Sequence, residues 1–342
     1  MKNNSPYFSL LIPSFNRPDY LNKTLKSLFQ TIFFDFEVIV ADDKSPKIND
    51  ILNVVKEFEL RQNFRFYQHK ENIGMSENWN FLVQKATGKY VILLGDDDLL
   101  FPYSLERIKQ NIENNDKSDI YAFGYQVIDG FGNQTYSIRS TKKIFIDINC
   151  VRVVKKLFNA DILPFALFHP LTMAIRRELG DEIRFNKEAG IGSDFLFLFE
   201  AILNEKIIQI IPEVLFSWRK TFTSGASVHE NLSSIERNIE ARLKILALLR
   251  KKEIEQDFLR SYINTSAYYD RFILHPYISH KELWYRDSNN ILLNNEEDYR
   301  KIKHKLNLYY FTYLRINRMI EKLILLGLYP TYLNIKAYFR RK

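Results

Sequence analysis

Three carboxylates in a row, Asp96-Asp97-Asp98, follow the apolar run Tyr90-Val91-Ile92-Leu93-Leu94-Gly95. Like charges this close repel unless something positive sits among them, and the apolar run reads as a buried strand. In open α/β sheets ligands bind beyond the carboxyl ends of the strands, so the triplet is placed to hold a divalent cation and, with it, a phosphorylated ligand. The same residues also suit a polar turn with Asp98 as a helix cap. A second acid pair, Asp42-Asp43, ends the strand-like run at 36–41, and Asp194 follows the glycine-rich Gly190-Ile191-Gly192-Ser193 at the start of an apolar helix.

The elements that would carry these acids alternate. A short apolar strand at 8–12 ends in the loop Pro13-Ser14-Phe15-Asn16-Arg17, and Leu21, Leu25, Leu28 and Phe29 recur at helical spacing after Asp19. The strand at 36–41 stops at Lys44-Ser45-Pro46, and Ile48, Ile51, Leu52, Val55 and Phe58 mark the next helix. A strand at 64–68, a polar loop at 69–76 and a helix over 77–86 lead into the strand that precedes the triplet. Strand and helix in alternation call for a mostly parallel sheet flanked by helices, with three strand ends converging on one cleft.

Beyond the triplet, Leu105, Ile108 and Ile112 give a helix, 120–128 a strand and Gly130-Phe131-Gly132-Asn133 a hairpin turn. A helix over 151–158, a strand at 171–175 and a last strand at 207–211 follow, the last leading to Phe216-Ser217-Trp218-Arg219-Lys220. From about residue 230 the pattern is helical, which sets two domains: an α/β domain at 1–229 and a helical C-terminal domain at 230–342.

Composition excludes several classes. With 342 residues and 46% hydrophobic content the chain builds real cores, and 27 Phe and 20 Tyr beside only 11 Gly and 10 Pro argue against repeat or low-complexity architecture. Cys150 is the only cysteine, so neither an intramolecular disulfide nor a cysteine-built zinc site is available, and a reducing, cytoplasmic setting is expected. His69, His169 and His229 lack the spacing of a metal-ligand pair, and the apolar run at 7–13 is too short for a signal peptide. No run of eighteen apolar residues marks a transmembrane helix.

Residues 299–342 hold eleven basic side chains against Glu321 alone, whereas the whole chain carries +8, so the rest is slightly acidic. Aromatic residues are interleaved with those cations, as in Tyr338-Phe339-Arg340-Arg341-Lys342. Two readings of this tail stand: an element bound at the cytoplasmic membrane surface, or a helix packed on the rest with a solvated basic face. No recognised nucleic-acid motif accompanies the charge, and no nucleic-acid partner is expected.

Taken in order, the motifs resemble the family 2 glycosyltransferases of the GT-A nucleotide-diphospho-sugar transferase fold. The resemblance rests on Ile12-Pro13-Ser14-Phe15-Asn16-Arg17, Val40-Ala41-Asp42-Asp43-Lys44-Ser45, and Asn72-Ile73-Gly74 with Asn78 and Asn80. It continues through Gly88-Lys89-Tyr90 and Leu94-Gly95-Asp96-Asp97-Asp98 to Gly192-Ser193-Asp194, covering roughly residues 7–228.

It implies a metal-dependent, inverting transferase. Asp42 and Asp43 would accept hydrogen bonds from base and ribose, the loop Pro13 to Arg17 would pack on the base, and Asn72 and Gly74 would join the nucleotide site. Asp98 would hold Mn²⁺ or Mg²⁺, Asp96 would face the ribose, and Asp97 joins them without a role of its own. Asp194 matches the catalytic base, although Ser193 stands where the family commonly has Glu. Arg219 would approach the diphosphate from a loop after the last strand. The implied partners are a nucleotide-diphosphate sugar, UDP-linked first, and a glycan or lipid-linked acceptor of surface polysaccharide or glycolipid synthesis. Two alternatives stand beside this: a sugar nucleotidyltransferase, whose glycine-rich phosphate loop is missing here, and a non-catalytic, membrane-associated binding protein that kept the fold.

Overall fold

The computed structural model describes residues 5–114, 117–138, 143–146 and 171–219. All of these belong to one of the two compact units into which the chain divides. The expected helix at 151–158, the boundary at 229/230, the helical C-terminal domain and its basic tail lie outside the described residues.

The first half follows the expected alternation. Strand β1 (Phe8–Ser14), helix α1 (Pro18–Phe29), β2 (Phe36–Asp42), α2 (Ile48–Lys56), β3 (Phe64–Gln68), α3 (Met75–Lys85) and β4 (Tyr90–Leu93) succeed one another. Parallel pairing in register joins β2 to β1 and β3, and β1 to β4, so Ser14 lies opposite Asp42. Strands β1, β2 and β4 are buried on both faces, as a sheet covered by helices on each side requires, whereas β3 at the sheet edge is only partly buried beyond Phe64. Phe8, Leu10, Ile12, Val38, Val40, Tyr90 and Ile92 pack in one core with Leu21, Leu25 and Leu28 of α1 and Ile51 and Val55 of α2.

The second half completes a mixed sheet. Strand β5 (Leu99–Leu100), α4 (Ser104–Glu113), β6 (Ile120–Ile128), β7 (Gln134–Ile138), β8 (Ile144–Ile146) and β9 (Met173–Arg176) precede α5 (Leu179–Glu182). A 3-10 turn (Lys187–Gly192) then runs into α6 (Ser193–Leu203), and β10 (Ile208–Arg219) closes the described chain. The strand order is β3-β2-β1-β4-β9-β6-β10-β5, with β7 on β6 and β8 on β10. Because β9 runs antiparallel to both β4 and β6, those two strands point the same way and their carboxyl ends share one edge. β10 also lies parallel to β6. The far face of the sheet is closed by α3, α5 and α6, where Leu11, Val83, Val91, Leu93, Ile183 and Phe197 surround a void of about 10 Å³.

Two expectations change. Asp98 caps no helix, because β5 intervenes and α4 starts at Ser104. The last strand does not stop at Ile211: it passes Pro212 through two register shifts against β6 and continues to Arg219, opposite Ile128. Among the described residues no helix is long and apolar enough to cross a membrane.

Candidate active site

The acidic triplet forms a tight turn after β4, closed by Asp98 N–H donating to Gly95 O at 3.1 Å. All three residues are almost fully buried. The positive group that such a cluster demands is Arg17, from the loop after β1. Its guanidinium pairs with Asp96 and, at 2.8 Å, with Asp97 Oδ2, while Phe15 N–H donates to Asp96 Oδ2 at 3.2 Å. Burial pulls the Arg17 guanidinium down, yet the charges of Asp96, Asp97 and Asp98 outweigh it and hold its pKa above the ordinary value.

A second arginine braces the turn from the other side. Arg219, 1% exposed, donates its backbone N–H to Asp98 Oδ1 at 2.8 Å and its Nε to Asp97 O at 2.8 Å. Its Nη1 donates to Asp129 O and Gly130 O, and its guanidinium lies over the Tyr20 ring at 5.2 Å. Arg219 is thus the last residue of a strand with its donors directed at main-chain carbonyls, a different placement from the loop arginine expected at the diphosphate. Thr24 Oγ1 completes the brace by donating to Asp98 O at 2.8 Å.

Two guanidiniums against three carboxylates leave a formal negative charge. Burial raises the Asp96 carboxyl to about 7 despite Arg17, raises Asp97, and raises Asp98 well above the usual range with Asp97 adding to it. Asp97 Oδ1 and Asp98 Oδ2 both overhang Gly95, where a Cβ would lie 3.0 and 2.8 Å from them. Only glycine leaves that pocket of hard oxygens open. No group of three or more His, Cys, Asp or Glu converges on one point among the described residues. Asp97 Oδ1 and Asp98 Oδ2 are hard oxygen donors of the kind that Mg²⁺ and Mn²⁺ take.

The other expected nucleotide residues lie at the ends of β1 and β2 and in the loops after β1, β2 and β3. Asp42 is fully buried: its Oδ1 accepts from Ser45 Oγ and its Oδ2 from Ser45 N–H at 2.9 Å. Asp43, 6% exposed, accepts from Ile73 N–H at 2.7 Å and Gly74 N–H at 3.0 Å, and its carbonyl takes the Asn72 side-chain N–H. These bonds order the loops that follow β2 and β3. Asp96, expected to face the ribose, borders the loop after β1 through Phe15 and Arg17. That loop carries the open chemistry: Ser14 Oγ and Asn16 Oδ1 are buried without hydrogen-bond partners, and the Phe15 ring is 46% exposed beside Pro13. Asn16 and Lys44 hold positive φ, 59° and 58°, and Asn16 N–H donates to Ser45 Oγ at 2.7 Å, tying the two loops together.

Asp194 sits half-buried in the first turn of α6. The helix is fixed by Phe197, stacked on Phe185 at 4.6 Å, and Phe185 is clamped in turn by Asn80, whose amide bonds its main-chain N–H and C=O at 2.9 Å each. The preceding Ser193 is buried and its Oγ has no partner. Asn78 and His69 are structural, bonded to one another at 3.1 Å with Asn78 also bonded to Ala41 O. His169 and His229 lie outside the described residues.

Residues 9–181, just over half of the chain, match the family model described as Glycosyl transferase family 2. The chain belongs to this family. A glycosyltransferase of Methanocaldococcus jannaschii is 26% identical over 216 residues, 63% of this chain and 71% of that protein. The poly(ribitol-phosphate) β-N-acetylglucosaminyltransferase TarP of Staphylococcus aureus is 29% identical over 211 residues, 59% of each. A Campylobacter jejuni GalNAc(5)-diNAcBac-PP-undecaprenol β-1,3-glucosyltransferase is 32% identical over 130 residues, 37% of this chain and 40% of that enzyme. The chain thus spans less than two thirds of the last two. The crystal structure of S. aureus TarS residues 1–349 with UDP-GlcNAc has a TM-score of 0.62 at 19% identity, covering 98% of this chain and 91% of that one, and shares the GT-A fold. This chain is accordingly a glycosyltransferase of family 2.

Proposed function

We propose that the enzyme is a cation-dependent, inverting glycosyltransferase that takes its sugar from a UDP-linked donor and passes it to a hydroxyl of a glycan or lipid-linked acceptor in surface polysaccharide or glycolipid synthesis. The observation that carries this reading is the meeting of the β1 loop, through Arg17, with the buried acidic turn after β4. Support comes also from TarS, crystallised with UDP-GlcNAc and with UDP, and from a Pyrobaculum calidifontis mannosyltransferase with GDP-Man and Mn²⁺. TarP and the Campylobacter enzyme both carry β in their names, the outcome that inversion gives from an α-linked donor.

The exposed Phe15 ring offers the base a stacking face, and Ser14 Oγ and Asn16 Oδ1 offer it polar contacts. Asp98, with Asp97 Oδ1 beside it, would hold Mn²⁺ or Mg²⁺, which when bound neutralises charge on the departing diphosphate. Arg17 and Arg219 keep the acidic turn in place, so its oxygens need not rearrange when the charge develops. Asp194 takes the proton of the acceptor hydroxyl as that oxygen bonds to the anomeric carbon and the bond from that carbon to the diphosphate oxygen breaks. A donor panel of UDP-, GDP- and dTDP-sugars, with Mn²⁺ or with chelator, tests the reading. Mn²⁺-dependent release of UDP alone is expected; equal release under chelation, or release from GDP-sugars only, overturns it.

A further inference from the structure

The hairpin between β6 and β7 lies at the same sheet edge as the acidic turn, because β6 and β4 point the same way. It is also fastened to that turn: one Arg219 side chain donates to Asp97 O through Nε and to Asp129 O and Gly130 O through Nη1. The turn itself is over-determined. Asp129 Oδ1 accepts from Phe131 N–H and Asn133 N–H at 2.9 Å each, and Oδ2 accepts from the Asn133 side chain at 3.1 Å. Main-chain bonds from Gly132 N–H to Asp129 O and from Asp129 N–H to Asn133 O close the loop, and Gly132 supplies the positive φ of 98° it requires. These donors lower the pKa of the Asp129 carboxyl despite the little burial it has, so the lock is set at neutral pH.

What this rigid loop displays is the ring of Phe131, 92% exposed. Burying a phenylalanine side chain stabilises a fold, so a hairpin built only for stability gains nothing from presenting one to water. A pre-ordered aromatic face lowers the entropic cost of binding. Its neighbours decide the class of ligand. Asn133 and Gln134 are exposed beside it: their amide nitrogens already donate to Asp129 Oδ2 and Ser137 Oγ, and their amide oxygens are further acceptors. An apolar ring face with such acceptors at its rim matches a pyranose, which has C–H bonds on its face and hydroxyls at its edge.

We infer that Phe131 and the Asp129–Asn133 turn form a sugar-binding platform at the acceptor side of the active site, with Phe131 stacking on a pyranose ring next to the reacting hydroxyl. This rests on the nucleotide-sugar reading above and adds the chemical class of the acceptor unit and the residue that selects it. The Phe131 ring takes no part in the Arg219 bonds that tie the hairpin to the acidic turn, so truncating that ring alone leaves nucleotide binding untouched.

Saturation-transfer NMR on the full chain tests it, with methyl β-D-glucopyranoside and methyl N-acetyl-β-D-glucosaminide as probes in the presence of UDP and the diamagnetic Mg²⁺. Wild type and Phe131→Trp are expected to transfer saturation to the ring protons of at least one probe, and Phe131→Ala to lose at least fivefold, with UDP signals equal in all three. No transfer to either sugar in wild type, or equal transfer in Phe131→Ala, overturns the platform while UDP signals persist. Absence of UDP signals in every protein overturns the nucleotide-sugar reading itself, and the platform with it.

Discussion

Arg17→Met should unmask the repulsion stored in the acidic turn. The Arg17 side chain is 23% exposed and pairs with Asp96 and Asp97, whose side chains are 0% and 8% exposed. Removing one partner of a buried pair typically costs about 3–5 kcal/mol, because the remaining charge is left uncompensated. Here two carboxylates lose their partner, so the upper half of that range is expected, a large fraction of a stability of roughly 5–15 kcal/mol. Methionine keeps the length of the stem, which limits the loss to charge and hydrogen bonds. The assay is urea unfolding followed by tryptophan fluorescence, with chelator present so that no cation substitutes for the guanidinium. Asp96 supplies a sign. A carboxyl raised to about 7 contributes stability that is complete below its unfolded value near 4 and is lost as pH rises through 7, and removing Arg17 deepens that loss. The penalty of the variant should therefore be larger at pH 8 than at pH 5.5. A penalty under about 1 kcal/mol, the worth of an exposed ion pair, or one independent of pH, would refute the clamp.

Gly95→Ala places a Cβ 2.8 Å from Asp98 Oδ2 and 3.0 Å from Asp97 Oδ1, and should weaken Mn²⁺-dependent UDP binding by about tenfold or more in calorimetric titration; unchanged affinity would show that those oxygens are not used. Glu37 joins β1, β2 and the turn before β4 by accepting from Ser9 Oγ, Thr87 N–H and Thr87 Oγ1 and pairing with Arg65. Burial pushes its pKa up, but these donors prevail and leave it lowered, so its contribution is present above pH 4.5 and lost as pH falls through the folded value. Glu37→Gln should cost about 1.5–3 kcal/mol at pH 7 and progressively less toward pH 3, read by urea midpoints; a constant difference would contradict it. Neutralising Arg340, Arg341 and Lys342 together should reduce binding to phosphatidylglycerol vesicles at least tenfold at low salt, at about 1 kcal/mol per charge near an anionic surface; equal sedimentation would assign the tail to packing on the protein.

The strands that carry the site were legible because their apolar runs are short, continuous and bounded by polar loops. β3 and β6 match the expected spans, and β1, β2 and β4 differ by a residue or two at their ends. Strand β5 was hidden because two leucines hold no period, and β10 because Pro212 and Glu213 read as a stop where the structure makes a bulge. That bulge is why Arg219 was expected in a loop. The types of the site residues were legible, but their partners were not. The bonds that Ser45 gives Asp42 went unread, although the Asp-x-x-Ser spacing was the available signal. The demand for a positive charge among three acids was plain in the sequence. That Arg17 meets it follows from β1 lying beside β4, a neighbourhood the sequence does not state. The Asn80 clamp that seats the Asp194 helix spans 105 residues and left no local trace.

The central claim, a transferase whose base is Asp194 and whose donor sits at the acidic turn, is tested most directly by Asp194→Asn. Sugar transfer from UDP-GlcNAc, followed by radiolabel incorporation into an undecaprenyl-linked glycan acceptor, should fall by about 10²–10⁴-fold, the usual contribution of a general base, while UDP affinity stays within twofold of wild type. Transfer within tenfold of wild type would contradict the assignment, and loss of UDP binding in step with transfer would make Asp194 part of the donor site instead.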